Sequence, residues 1–218
     1  MLAERGWSVI VSSRRAENVE EAGGRIALDV SKADEVEAAV KKILAAHGRI
    51  DLLVNSAGIN VRHHRNWADF TREGWDQVIG INLNGLLYRM RAVLPATRSR
   101  KEGTIVNFSS WAGKFASPLT GPAYSASKHA VVAPTHEFNR ENFRDNLRAC
   151  CICPGEVATP ILKSRPVPPS DEDMARVLRA EDVASAIVYV AESPQRVCLN
   201  EIVISPTWNR IFLASPAP

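Results

Sequence analysis

No apolar run in this 218-residue sequence approaches the roughly 20 residues that a helix needs to cross a bilayer, so no membrane span is expected. The opening stretch Met1-Leu2-Ala3-Glu4-Arg5-Gly6 has neither a long apolar segment nor a cleavage site, which points to a cytoplasmic protein. An excess of one charge is lacking too: 27 Lys and Arg stand against 24 Asp and Glu, a net charge of +3. The basic residues are dispersed instead of forming a stripe with interleaved aromatics, so nucleic acid is not an expected partner. Four cysteines are too few to staple a chain of this length and charge. Cys150 and Cys153 have Cys-x-x-Cys spacing, but they lie in the run Cys150-Cys151-Ile152-Cys153, which reads as a buried strand. Without a second pair or a suitably spaced histidine no metal site is expected, and these cysteines are assigned to the core.

What is present is an alternation of short β-rich runs and longer amphipathic stretches. Strands are expected over 7–12, 26–29, 51–55, 104–109, 149–153 and 201–205. Helices are expected over 72–97, 122–143 and 180–191, the last led by Arg179 with Glu181-Asp182. A further helix opens where Ser31 and Asp34 have capping-box spacing. Val36, Ala39, Val40, Ile43, Leu44 and His47 give it one apolar face, with His47 packed at its end, and Gly48 stops it. This order predicts an α/β fold, a doubly wound parallel sheet with helices on both faces, in one domain spanning 1–218. The stretch 159–173 carries prolines at 160, 166, 168 and 169 and no steady period, which suggests a mobile loop over a site.

Chemistry is concentrated in Tyr124-Ser125-Ala126-Ser127-Lys128, preceded by Ser109-Ser110 at the end of an apolar run. Residues four apart share a helix face, so the Lys128 ammonium can sit beside the Tyr124 phenol and favour its ionised form. A free tyrosine titrates near ~10 and needs such help to exchange protons at neutrality. Ligands of doubly wound sheets bind beyond the carboxyl ends of the strands. There the sequence places Asn55-Ser56-Ala57-Gly58, then Ser109-Ser110-Trp111-Ala112-Gly113, then Pro154-Gly155-Glu156-Val157-Ala158-Thr159.

In order and approximate spacing these motifs resemble the short-chain dehydrogenase/reductase family, from the first residues to about Pro206. The resemblance implies a Rossmann-like fold and an NADP(H)-dependent oxidoreductase that interconverts a secondary alcohol and a carbonyl on a small molecule. It further implies that Ser110 holds the reacting oxygen, Tyr124 exchanges its proton, and Lys128 lowers the tyrosine pKa and holds the nicotinamide ribose. Asn82 matches the asparagine that positions a water, with Asn84 the competing choice; Ser109 remains a second candidate beside Ser110. Ser110 stands fourteen residues before Tyr124, one more than the family pattern, so an insertion is expected between them. Asp29 and Val30 match the pair that brackets adenine, and Asn55, Ala57, Gly58, Pro154, Gly155, Val157 and Thr159 line the cofactor. No acid follows the first strand, whereas Arg14 and Arg15 do, which favours the 2′-phosphate of NADP over NAD.

One element of the family pattern is absent. The opening strand and glycine-rich turn, whose amides bind the pyrophosphate, have no counterpart, and residues 1–6 look like the end of the helix that follows them. Leaving out that central strand should open the sheet. Two expectations follow: an active enzyme with further upstream residues, or a truncated, catalytically impaired or non-catalytic subunit.

The substrate pocket is expected between 111–119, the 156–173 segment and the residues after Gly58. There Arg62, His63, His64 and Arg65 form a cluster that either attracts an acidic substrate or is a solvated loop. Residues 200–207 resemble the last strand of family members acting on small 3-hydroxy acids or alcohols. The apolar tail 207–218, if exposed, should pack on another subunit, and the resemblance implies a homodimer or homotetramer.

Overall fold

The computed structural model describes residues 1–14, 24–63, 65–116, 119–210 and 212. Among the described residues six strands form, each overlapping one expected from the sequence: β1 (Ile10–Ser13), β2 (Gly24–Ala27), β3 (Leu52–Asn55), β4 (Gly103–Phe108), β5 (Leu147–Pro154) and β6 (Glu201–Ile204). All pairings are parallel, in the order β1-β2 and, separately, β3-β4-β5-β6. The ladder is therefore broken between β1 and β3, the place where the family pattern has its central strand. Packing bridges the break. In α1 (Ala33–His47), Val36 and Ala39 cluster with Leu28, Val30 and Ile81, while Val40 joins the main core.

Two helical layers enclose the larger sheet, and the side-chain alternation of β5 serves both. Ala149, Cys151 and Cys153 face α3 (Gly85–Arg100) and α4 (Gly121–Asn142) through Leu86, Met90, Val131 and Phe138. Cys150 and Ile152 face α7 (Ala180–Glu192) through Val183 and Val190. The three strand cysteines are free and buried, as small core residues.

Several local expectations are corrected. The helix expected over 72–97 is interrupted: α2 (Arg72–Ile79) passes through a π-helical segment, Gly80–Asn84, before α3 begins. Ser31 caps nothing. Its backbone N–H and its hydroxyl both donate to Asp29 Oδ1, at 3.0 and 2.7 Å, and Lys32 precedes the helix without a side-chain cap. His47 is exposed, because it falls in the last turn beyond the packed stripe. The 159–173 stretch contains α5 (Pro160–Lys163) and the start of α6 (Asp171–Arg176), the latter capped by the Ser170 hydroxyl. α7 does open on Arg179, whose N–H donates to Asp182 Oδ2 at 2.8 Å. The insertion expected between Ser110 and Tyr124 falls partly on residues 117 and 118, outside the described set, as does Arg15.

Arg148 on β5 ties α7 to the sheet. It is buried, its Nε donates to Thr104 Oγ1, and its Nη atoms reach the carbonyls of Val190, Ser193, Pro194 and Val197 at 2.7 to 3.3 Å. A cation at the carboxyl end of α7 also meets the negative end of the helix dipole. Arg148→Ala leaves these carbonyls without their donor and should lower the unfolding free energy by about 3 kcal/mol, read from urea denaturation; a loss under about 1 kcal/mol contradicts this account.

Candidate active site

A cavity of about 510 Å³ opens beyond the carboxyl ends of β3, β4 and β5 and is lined by Gly58, Ser110, Trp111, Tyr124, Lys128 and residues 154–165 among others. Tyr124 lies in the first turn of α4 and shares the cavity wall with Ser110, whose hydroxyl favours the ionised phenol and also caps Ala112 N–H at 3.2 Å. Ser109 points elsewhere. Its hydroxyl donates to the Lys128 carbonyl at 2.6 Å, so of the two serines Ser110 is the one engaged with Tyr124. The turn that carries them is fitted to α4: a Cβ on Gly113 would lie 2.1 Å from Ser109 Oγ and 2.6 Å from the Lys128 carbonyl oxygen.

Lys128 is buried, donates to the Phe108 carbonyl at 2.8 Å, and sits 5.7 Å from the centre of the Tyr124 ring. Burial lowers its pKa from 10.5 to about 8. The tuning of Tyr124 differs from the expected scheme. Burial pushes its phenol above the ordinary value, and the opposing influences are the Ser110 hydrogen bond and the charges of Arg165 and Arg65. Those arginines are contributed by distant loops, so the i,i+4 spacing gave no sign of them.

Asn82 occupies the π-helical segment, a backbone irregularity frequent at functional sites. Its amide clasps the loop after β3, accepting from Ile59 N–H at 2.8 Å and donating to the Ile59 carbonyl at 2.9 Å and to Ser127 Oγ at 3.0 Å. Among the described residues Asn84 makes no such bridge. Gly58 then lies between them: a Cβ there would come 3.3 Å from Lys128 Nζ and 3.5 Å from Asn82 Oδ1. The room left by this glycine, beside a buried cation, fits an incoming polar ligand edge.

Of the other residues expected to hold a cofactor, Pro154, Gly155, Val157 and Thr159 line the same cavity. Asn55 is buried behind it and donates to Asn107 Oδ1 at 2.8 Å, and Ala57 packs on the core of α1. Asp29 turns its carboxylate to Ser31, whose hydrogen bonds chiefly hold it below the usual carboxylate range. Val30 is buried against Gly85, and neither Asp29 nor Val30 reaches the cavity. Arg14 lines a second hollow of about 500 Å³ with Arg62, His63, Asn60 and Thr71. The basic cluster after Gly58 is thus divided: Arg62 and His63 are exposed in this hollow, whereas Arg65 is buried in the wall of the main cavity.

Sequence reasoning missed the acidic wall. Glu156 is buried and shared by two cations: Arg165 pairs with Oε1, and Arg210 reaches both oxygens at 2.9 Å. Arg210 also meets Asp173 at 2.8 Å. Arg176 stacks on Trp208, and Trp111 and Phe212 meet edge to face at 5.8 Å. The described part of the tail is therefore engaged by its own chain. With partners 9 and 54 residues from Glu156, no periodicity announces the cluster.

Comparison with known proteins gives the family and the fold. The family model for short chain dehydrogenases matches residues 1–168. An uncharacterized oxidoreductase of Staphylococcus saprophyticus is 32% identical over 94% of this chain and 89% of its own length. Dehydrogenase/reductase SDR family member 6 of Xenopus laevis is 33% identical over 84% of this chain and 77% of its own. Among solved structures, the closed form of a serine dehydrogenase complexed with NADP+ superposes with a TM-score of 0.80 and 27% identity, covering 99% of this chain and 89% of that one.

The Lys128 shift has a measurable signature. Between about 8 and 10.5 the unfolded chain holds a proton that the folded chain has released, so stability gains from rising pH across that window. Relative to Lys128→Met, the stability of the ligand-free chain should rise by up to about 3 kcal/mol from the lower to the upper limit. A pH-independent difference in chemical denaturation means that Lys128 is not desolvated.

Proposed function

Because the chain belongs to the short-chain dehydrogenase family of NAD(P)-dependent oxidoreductases, we propose that it interconverts a secondary alcohol and a carbonyl on a small molecule, with NADP(H) as cofactor and Tyr124 as proton donor and acceptor. The observation that carries this reading is the convergence of Ser110, Tyr124 and buried Lys128 on the wall of one cavity. Bound NADP(H) supplies or accepts the hydride. Ser110 holds the reacting oxygen, and Tyr124 gives its proton to that oxygen in reduction or takes it in oxidation. Lys128, adjoining Gly58, presents its ammonium to the ribose, and Asn82 fixes the loop that frames this space. The apolar remainder of the cavity excludes water from the oxygen on which charge develops.

NADP is preferred over NAD because Arg14 and Arg62 line the second hollow with no carboxylate among its described lining residues. Such a site suits a 2′-phosphate. We read the chain as one catalytic unit with 159–173 as its substrate loop, acting in the cytoplasm as a homodimer or homotetramer.

Tyr124→Phe should reduce turnover at least ~1000-fold, since no other proton donor of suitable geometry faces the Ser110 hydroxyl, while the NADPH dissociation constant changes less than about threefold. Retained turnover removes Tyr124 from the role. Arg14→Ala should weaken NADPH by on the order of 10-fold and NADH hardly at all in fluorescence titrations, whereas equal losses point to NAD. Failure of the folded wild-type chain to bind either nucleotide favours a non-catalytic subunit.

A further inference from the structure

Among the described residues that line the main cavity, three cations face one carboxylate: Arg65, Lys128 and Arg165 against Glu156. Glu156 is not available to all of them. Both of its oxygens are taken by Arg165 and Arg210, and Lys128 is held by a backbone carbonyl deep beside the catalytic tyrosine. Arg65 and Lys128 both lack a carboxylate among the described residues, and of the two Arg65 keeps an unused donor. Only 8% of its surface is exposed. Its Nε donates to the Val61 carbonyl and its Nη1 reaches the Leu119 carbonyl at a long 3.5 Å, while Nη2 is buried without any hydrogen-bond partner.

A buried guanidinium with a free donor is costly unless something completes it, and none of the described residues does so. Its position is nonetheless firmly built. Gly121, at φ +74°, packs so closely that a Cβ there would come 2.1 Å from the Arg65 carbonyl oxygen, and Asn60 Nδ2 donates across the gap to the Thr120 carbonyl at 2.9 Å. These contacts fasten the Arg65 loop to the start of α4, three residues before Tyr124. Arg65 and the reacting hydroxyls therefore face one enclosed space on a shared support.

Building on the alcohol–carbonyl reading above, we propose that Arg65 is a substrate-specificity residue that receives a carboxylate, so that the substrates are small hydroxy acids and the corresponding oxo acids. The free Nη2 edge offers the charge-assisted, planar recognition for which arginine is suited. Arg165, tied to Glu156, adds positive potential on the same wall without competing for the ligand.

The test is a calorimetric titration of the full chain with 3-hydroxybutanoate and with its uncharged methyl ester. Wild type should bind the carboxylate on the order of 10- to 100-fold more tightly than the ester, the range of a hydrogen bond to a charged group. Arg65→Gln should erase that preference while leaving the ester unchanged, and Arg65→Lys should restore part of it. Arg72→Gln, an exposed change at the start of α2 that lines neither hollow, should behave as wild type. Equal binding of acid and ester by wild type, or a preference that survives in a folded Arg65→Gln, overturns the proposal. Turnover assays report separately: preference for the acid without turnover of either compound leaves the carboxylate site standing and removes the oxidoreductase reading. Turnover without preference does the reverse.

Discussion

The buried ammonium of Lys128 constrains everything around it. It lies buried with its ammonium on the Phe108 carbonyl and no carboxylate bonded to it among the described residues, so burial lowers its pKa to about 8. Keeping a lysine there requires α4 to be locked against β4 along its length. The lock is visible in the Ser109 hydroxyl on the Lys128 carbonyl and in Gly113, where no side chain fits. The same positioning leaves Ser110 as the serine that faces Tyr124, so the choice between two adjacent serines is decided by which one the helix needs as a fastener.

The strands, their parallel order and the residues that gather at the cavity were legible in the sequence because each depends on local pattern. Short continuous apolar runs mark β4 and β5, four-residue spacing marks Tyr124 and Lys128, and strand ends mark the ligand side. What escaped was set by contacts between distant segments. The π-helical turn that aims Asn82 follows from how α2 and α3 must pass the loop after β3, and hydrophobic spacing cannot encode one extra residue in a turn. Glu156, Arg165 and Arg210 form a cluster only after three segments converge. The basic run after Gly58 reads as one patch in sequence, yet one member points inward and two face solvent, because Gly121 draws the end of that run onto α4.

Charge around the cavity is arranged by depth. The acid at the wall is fully committed to two arginines, one of them from the last described turn of the chain. Arg165 and Arg65 on that wall favour the Tyr124 phenolate, in opposition to the larger effect of its burial. The tail is consequently part of the electrostatics of the site as well as of its packing, through Arg210 and through the contact of Trp111 with Phe212.

The break between β1 and β3 has a thermodynamic consequence. With no shared backbone ladder, the two sheets are coupled mainly through the packing of α1, and opening the smaller one disrupts a helix interface while β3 to β6 stay paired. The amides of β1 and β2 then exchange with solvent through sub-global openings of lower free energy than those of β4 and β5. A nucleotide that touches both Arg14 and the Lys128 cavity spans this seam, and its binding free energy is partly spent in joining two cooperative units into one.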